Sequence, residues 1–214
     1  MKQKFLIWLL VIAAVCVVVL ILNACLLFPW QWEARKNKRA ALEYVNATYP
    51  DAKYVGAYYR TTKYNPENRG GDTFDFELNG IRFSISTEDG QVLNDFYWTS
   101  FAECQLYNTY IKPFTESRNI TAEFNYSTSD LQKFFKYYPN ADISQYDGSV
   151  GIQIYDDKCT DPRSLGWLYD FYCYCKESIP FTNYTVTMIY SGGSLTYSSK
   201  HIFSNEDDFY NSFS

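Results

Sequence analysis

FDFELNGIRFSIS, Phe74 to Ser86, is the stretch whose reading decides the fold. Asn79-Gly80 is the preferred two-residue hairpin turn, because both central positions require positive φ. Counting outward pairs Leu78 with Ile81, Phe76 with Phe83 and Phe74 with Ile85 on one face, and Glu77 with Arg82 on the other. Apolar pairs on one face and charges on the other specify the register, since a one-residue slip would reverse both faces. The sequence continues through a second turn, Asp89-Gly90, into a third strand from Gln91 to Trp98.

Upstream, AKYVGAYYRTTKY reads as a strand and NPENRGG, Asn65 to Gly71, as a loop. Residues 34–49 read as a helix, with Leu42, Val45 and Tyr49 at i, i+3 and i+7 and Pro50 ending it. Residues 100–112 form a further expected helix aligning Phe101, Cys104 and Ile111, closed by Pro113. The pattern of Ala41, Tyr44, Tyr49, Pro50 and Ala52, an extended strand, and a hairpin ending in Phe83-Ser84-Ile85-Ser86-Thr87-Glu88-Asp89-Gly90-Gln91-Val92-Leu93 resembles the PepSY-type module of bacterial envelope proteins. The likeness covers residues 38–98; the family's Asp position is not cleanly matched, and the helix-to-strand loop is longer than usual. The resemblance implies a helix on an antiparallel sheet and a non-enzymatic inhibitory, regulatory or binding role.

In the second half, Ser127 and Asp130 resemble a capping box ahead of the stripe Leu131, Phe134, Phe135 and Tyr138, with Pro139 as the stop. SVGIQIYDD alternates as a strand. Asp161-Pro162 marks a helix start, and SLGWLYDFYCYCKESI, apolar nearly all round, is read as helix, with a strand as the alternative. FTNYTVTMIYSGGSLTYSSKHIF folds as a hairpin about Gly192-Gly193, and the acidic end NEDDFYNSFS is expected to be loose.

At the other end, Phe5 to Phe28 is a 24-residue run without charge, as long as the ~20 apolar residues a bilayer span needs. A secretory signal has an apolar core of only about 7–15 residues and a small-residue cleavage site. Leu22-Asn23-Ala24-Cys25 matches a lipobox in three of four positions, but Asn23 departs from it and Leu26-Leu27-Phe28 stay apolar; an uncut anchor is the preferred reading. Trp8, Trp30 and Trp32 fit interfacial belts, and Arg35, Lys36, Lys38 and Arg39 a headgroup-level flank. Taken literally, those four charges place the C-terminal part in the cytoplasm. The short N-terminal tail and the Tyr-, Asn-, Ser- and Thr-rich remainder favour an extracytoplasmic domain.

The expected fold class is therefore α+β: an N-terminal transmembrane helix followed by antiparallel sheets packed with helices. The expected segments are a tail (1–4), the anchor (5–28), a basic juxtamembrane stretch (29–39), the PepSY-like module (40–113), a second α+β module or continuation (114–205) and the acidic tail (206–214).

Residues 40–214 hold 13 basic against 23 acidic side chains, a net charge of −10, which repels phosphate backbones and excludes nucleic acid as partner. The 21 Tyr and 16 Phe fit half-buried sheet faces. Cys173-Tyr174-Cys175 lacks metal-site spacing; in an oxidising compartment a disulfide from Cys159 to Cys173 or Cys175 is expected. His201 is the sole histidine, with no nucleophile motif beside it, which leaves only a Cys-His pair with Cys104 or Cys159 to consider. Asp156-Asp157-Asp161 and Glu206-Asp207-Asp208 lack EF-hand spacing. Sequons occur at Asn46, Asn119, Asn125 and Asn183.

No catalytic, metal or cofactor-binding residue is assigned. The function expected is a membrane-anchored, non-catalytic extracytoplasmic protein that binds a protein, a peptide or a wall glycan through an aromatic-rich sheet face, with membrane lipid as its other partner. The competing classes are an envelope hydrolase with carboxylate or Cys-His chemistry and a structural subunit of a membrane complex.

Overall fold

A computed structural model describes residues 2–58, 71–118, 120 and 122–212, with the side chains of 2–11 and 22–30 outside the description. The chain divides into two units, Met1–Phe96 and Tyr97–Ser214. Helix 100–112 thus belongs with the second unit, and the boundary falls before it rather than at Pro113.

The first unit is a helix, α1 (Lys2–Thr48), and a four-stranded antiparallel sheet of β1 (Lys53–Tyr58), β2 (Asp72–Leu78), β3 (Ile81–Glu88) and β4 (Gln91–Asp95), in that order. The central hairpin has the register the sequence dictates: Phe74 opposite Ile85, Phe76 opposite Phe83, Glu77 opposite Arg82 and Leu78 opposite Ile81. Asn79 and Gly80 carry φ of 52° and 79°, and Asp89 and Gly90 repeat the pattern at 53° and 74°. Phe74, Phe76, Ile81, Phe83 and Ile85 are buried, as are Ala34, Ala41, Val45 and Tyr49 of α1, which packs on β2, β3 and β4. Tyr49 meets Phe83 edge-on with 5.3 Å between ring centroids. Each of these rings contributes about 1.5–3 kcal/mol through burial. The third strand is shorter than expected, ending at Asp95, and the loop at 65–71 lies outside the described residues save Gly71.

The expected transmembrane helix at 5–28 is corrected. Among the described residues no helix is long and apolar enough to cross a membrane. The helix runs without a break from Lys2 to Thr48, into the residues that pack on the sheet.

The second unit contains β5 (Glu123–Ser127), β6 (Ser149–Asp156), β7 (Asn183–Tyr190) and β8 (Gly193–Ser198) in that order. The antiparallel expectation is corrected here too, because β6 and β7 are parallel. The connection between them carries α5 (Leu168–Ser178), and parallel neighbours need a crossover of this length. Val150, Ile152 and Ile154, Tyr184, Val186 and Met188, and Leu195 and Tyr197 alternate inward against a core supplied by the helices.

Those helices are α2 (Tyr97–Leu106), α3 (Lys112–Arg118), α4 (Ser129–Tyr137), α5 and α6 (Glu206–Asn211). Pro113 does not close a helix. A π-helical turn, Tyr107–Ile111, precedes it, with Lys112 N–H bonded to the Tyr107 carbonyl. Proline has no N–H and its ring crowds the carbonyl four residues back, and the widened turn before it accommodates both. α4 is preceded by Thr128 without a side-chain cap, Ser127 being taken by β5, so the expected capping box is not formed. The acidic tail is not loose either: α6 buries Phe209 and Tyr210.

Candidate functional site

Strand periodicity that turns Ile152 and Val186 inward turns their neighbours outward. On the second sheet the outward side chains form rows across four strands. The central row is Asn125 opposite Gln153, Gln153 opposite Thr187 and Thr187 opposite Thr196. One flanking row is Glu123, Tyr155, Ile189 and Ser194, the other Ser127, Gly151, Thr185 and Ser198. Asn125, Gln153, Thr185 and Thr196 are exposed. Thr196 Oγ1 donates to Thr187 Oγ1 at 3.1 Å, and the Tyr155 hydroxyl to Gln153 Oε1 at 3.0 Å.

At the end of β5 and β6 this face runs into a pocket of about 580 Å³ lined by Ala122, Glu123, Asn125, Tyr155, Asp156, Asp157 and Lys158. Its volume falls in the range of small-molecule sites. Asp156 Oδ1 accepts the backbone N–H groups of Lys158 and Cys159, both at 3.1 Å, and so shapes the turn. Glu123 Oε1 accepts Asn125 Nδ2 at 3.4 Å. Carboxylates, an amide, a phenol and an ammonium therefore line one pocket.

The outward side of this sheet is not the aromatic-rich face that the composition led us to expect. Phe114, Phe135, Phe171, Tyr197 and Phe209 are fully buried, and Tyr155 is the one aromatic residue in the outward rows. Rings and hydroxyls both suit strands, and only the helices that cover one face decide which set goes inward.

His201 is exposed in the turn after β8. Its Nδ1 accepts the Ser198 backbone N–H at 3.0 Å and lies 3.1 Å from Ser198 Oγ. The lone pair a general base would use at that nitrogen is thereby occupied. The His201 ring contacts Ser198 and stacks on Phe203, with neither Cys104 nor Cys159 among these partners. Asn108 Nδ2 donates to the Cys104 sulfur at 3.1 Å, while Cys159 is buried and burial pushes its thiol up.

Cys159, Cys173 and Cys175 are free thiols, so the expected bridge is not formed. Cys175 is fully buried, and burial holds its thiol far above the ordinary range. Cys173 is half-buried and lies about 200° from it around the helix. Among the described residues no group of three or more His, Cys, Asp or Glu side chains is placed to hold a metal ion.

Of the expected flank, Trp32, Arg35, Lys36 and Arg39 are exposed, whereas the Trp30 side chain lies outside the described residues. Arg39 pairs with Glu43 at 2.7 Å, and Lys38 Nζ sits 4.5 Å from the Tyr54 ring centroid. The sequons at Asn46, Asn125 and Asn183 are exposed; Asn119 lies outside the described residues.

A feature missed in the sequence is the set Glu103, Tyr107 and Tyr126 where the π-helical turn faces β5. Burial raises Glu103 and holds Tyr126 well above the ordinary phenol value. The Tyr126 hydroxyl is buried with no hydrogen-bond partner among the described residues. The signal available for it was Pro113 inside a helical pattern.

No protein-family model matches the chain, and no curated protein or solved structure matches it.

Proposed function

We propose that this chain is a non-catalytic binding protein of the cell envelope, with its folded part outside the cytoplasm and a protein, peptide or wall component as its bound partner. The observation that carries the reading is the open polar face of the second sheet, continuous with a pocket of ligand size. Membrane lipid is the partner whose chemistry fits the apolar run Ile12 to Ile21, which is exposed on every side of α1. The PepSY likeness of residues 38–98 adds regulation or inhibition to the roles such a protein would serve.

Two measurements test it. Protease applied to intact cells is expected to remove a C-terminal tag without lysis, and protection until lysis would defeat the envelope placement. Purified chain mixed with isolated envelopes is expected to cosediment with them, and a chain left in the supernatant would defeat the binding role.

A hydrolytic reading has one observation of its own, the three carboxylates in the pocket. Asp156 is committed to its turn, which leaves Glu123 and Asp157 as the reacting pair. Cleavage of envelope material by the purified chain, abolished in Glu123→Gln, would favour that reading.

A further inference from the structure

We propose that the open face of the second sheet binds an uncharged glycan strand, laid across β5, β6, β7 and β8 along the row Asn125, Gln153, Thr187 and Thr196, with a terminal sugar in the pocket beside Tyr155. The inference rests on the binding role proposed above and names its ligand class.

Three observations select this occupant. The central row consists of two amides and two hydroxyls with no charge, and the row Ser127, Gly151, Thr185 and Ser198 is also uncharged. A polyanion finds no counter-charge there, in a chain whose formal net charge is −5. A neutral polymer rich in hydroxyls finds donors and acceptors together, because Ser, Thr, Asn and Gln side chains each supply both.

Spacing is the second observation. Neighbouring strands lie about 4.8 Å apart, close to the length one pyranose unit adds to an extended β-linked chain. Each strand of the register therefore presents one polar side chain per sugar.

The third is the pocket. Its residues Glu123, Asn125 and Tyr155 are outward side chains of the same two strands, so the pocket is the end of the face rather than a separate site. A phenol ring to stack on a sugar's apolar side, with carboxylates and an amide to take its hydroxyls, is what a terminal subsite requires. An extended peptide would instead pair along a strand edge through its backbone and seat alternate side chains in pockets. The central row offers no apolar recess for such anchors.

The test uses the intact chain on an array of neutral and amino-sugar glycans, with calorimetry on soluble β-linked hexasaccharides of glucose and of N-acetylglucosamine. Binding is expected for a neutral glycan, tighter for a tetrasaccharide than for a disaccharide. At least tenfold weakening is expected in Thr187→Val/Thr196→Val and in Gln153→Ala, with circular dichroism unchanged. These positions are on the surface, where such substitutions leave stability within about 0.5 kcal/mol. Binding that is indifferent to both variants would overturn the assignment to this face. A chain that cosediments with envelopes yet binds no glycan would overturn the glycan and leave the binding role standing. Failure of both assays would remove both.

Discussion

Asn37 sits where the helix pattern of α1 calls for an apolar side chain, only 3 % exposed between Ala34 and Ala41. It is held there by its amide: Nδ2 donates to Asp72 Oδ2 at 2.8 Å, and Oδ1 accepts the Gly90 N–H at 2.7 Å. One side chain thus ties α1 to the start of β2 and to the second hairpin turn. Tyr44 and Tyr49 repeat the device further along, both donating to Asp95 Oδ2, at 2.8 and 2.7 Å. Replacing Asn37 with Leu removes a donor from a buried carboxylate and an acceptor from a turn amide, an expected loss of about 2–4 kcal/mol. Asn37→Asp is expected to cost more at pH 7, because two carboxylates would then meet at hydrogen-bond distance, and less at pH 4, where the pair can share a proton. The sign follows from linkage: a carboxyl whose folded pKa is raised contributes stability at low pH and loses it as pH rises. Urea midpoints of the two variants at both pH values check this, and an Asn37→Asp penalty independent of pH would count against the buried contact.

The Phe74–Ser86 hairpin was legible in full because its determinants are local: the turn residues fix the geometry and the alternation fixes the register. β6 and the β7–β8 hairpin were legible for the same reason, whereas α5, apolar nearly all round, read as helix or strand alike until its packing decided it. The parallel pairing of β6 with β7 was not, since which strand becomes a neighbour depends on a crossover more than twenty residues long. The open face was missed as a site because Thr and Gln in strands carry no signal until helices cover the opposite side. At the chain's end the acidic residues obscured a helix whose signals were present. Asn205 Oδ1 caps the Asp208 N–H at 2.9 Å, and Asp208 Oδ2 accepts the Ser204 N–H at 2.9 Å. This reciprocal cap orients Phe209 into a cluster with Tyr169, Tyr172, Tyr197 and Phe203, all with centroids within 5.2 to 5.6 Å. Phe209→Ala is expected to cost about 3–5 kcal/mol, and Asn205→Ala about 1 kcal/mol. Urea unfolding followed by near-UV circular dichroism measures both; a Phe209→Ala midpoint equal to the parent's would mean that α6 contributes nothing to the core.

Across the whole molecule, tyrosine fills space that Leu or Met fills elsewhere, and this makes alkali the condition that the fold resists least. Tyr126 and Tyr184 have buried hydroxyls without hydrogen-bond partners among the described residues, and the Tyr197 hydroxyl is buried beside the Cys175 thiol. Burial holds all three phenols well above the ordinary value of 10, and pushes Tyr210 up to about 12. In the first unit Tyr44 is raised as well, by burial first and then by the Asp95 carboxylate. A phenol whose folded pKa exceeds its unfolded one stabilises the fold fully below about pH 10. That contribution falls as pH climbs from there through the folded pKa, because the unfolded chain releases the proton first. Stability is therefore expected to be insensitive to these groups up to about pH 10 and to drop steeply beyond it. Absorbance of phenolate at 295 nm should show the buried tyrosines appearing together, in a late cooperative step that coincides with loss of near-UV circular dichroism. Tyr184→Phe removes one such ionisation and an unpartnered hydroxyl at once, and should move that step to higher pH without lowering stability at pH 7. A smooth titration of every tyrosine near pH 10, with the folded signal intact, would show that these phenols are open to water and that the second unit's core is not the dry aromatic cluster described above.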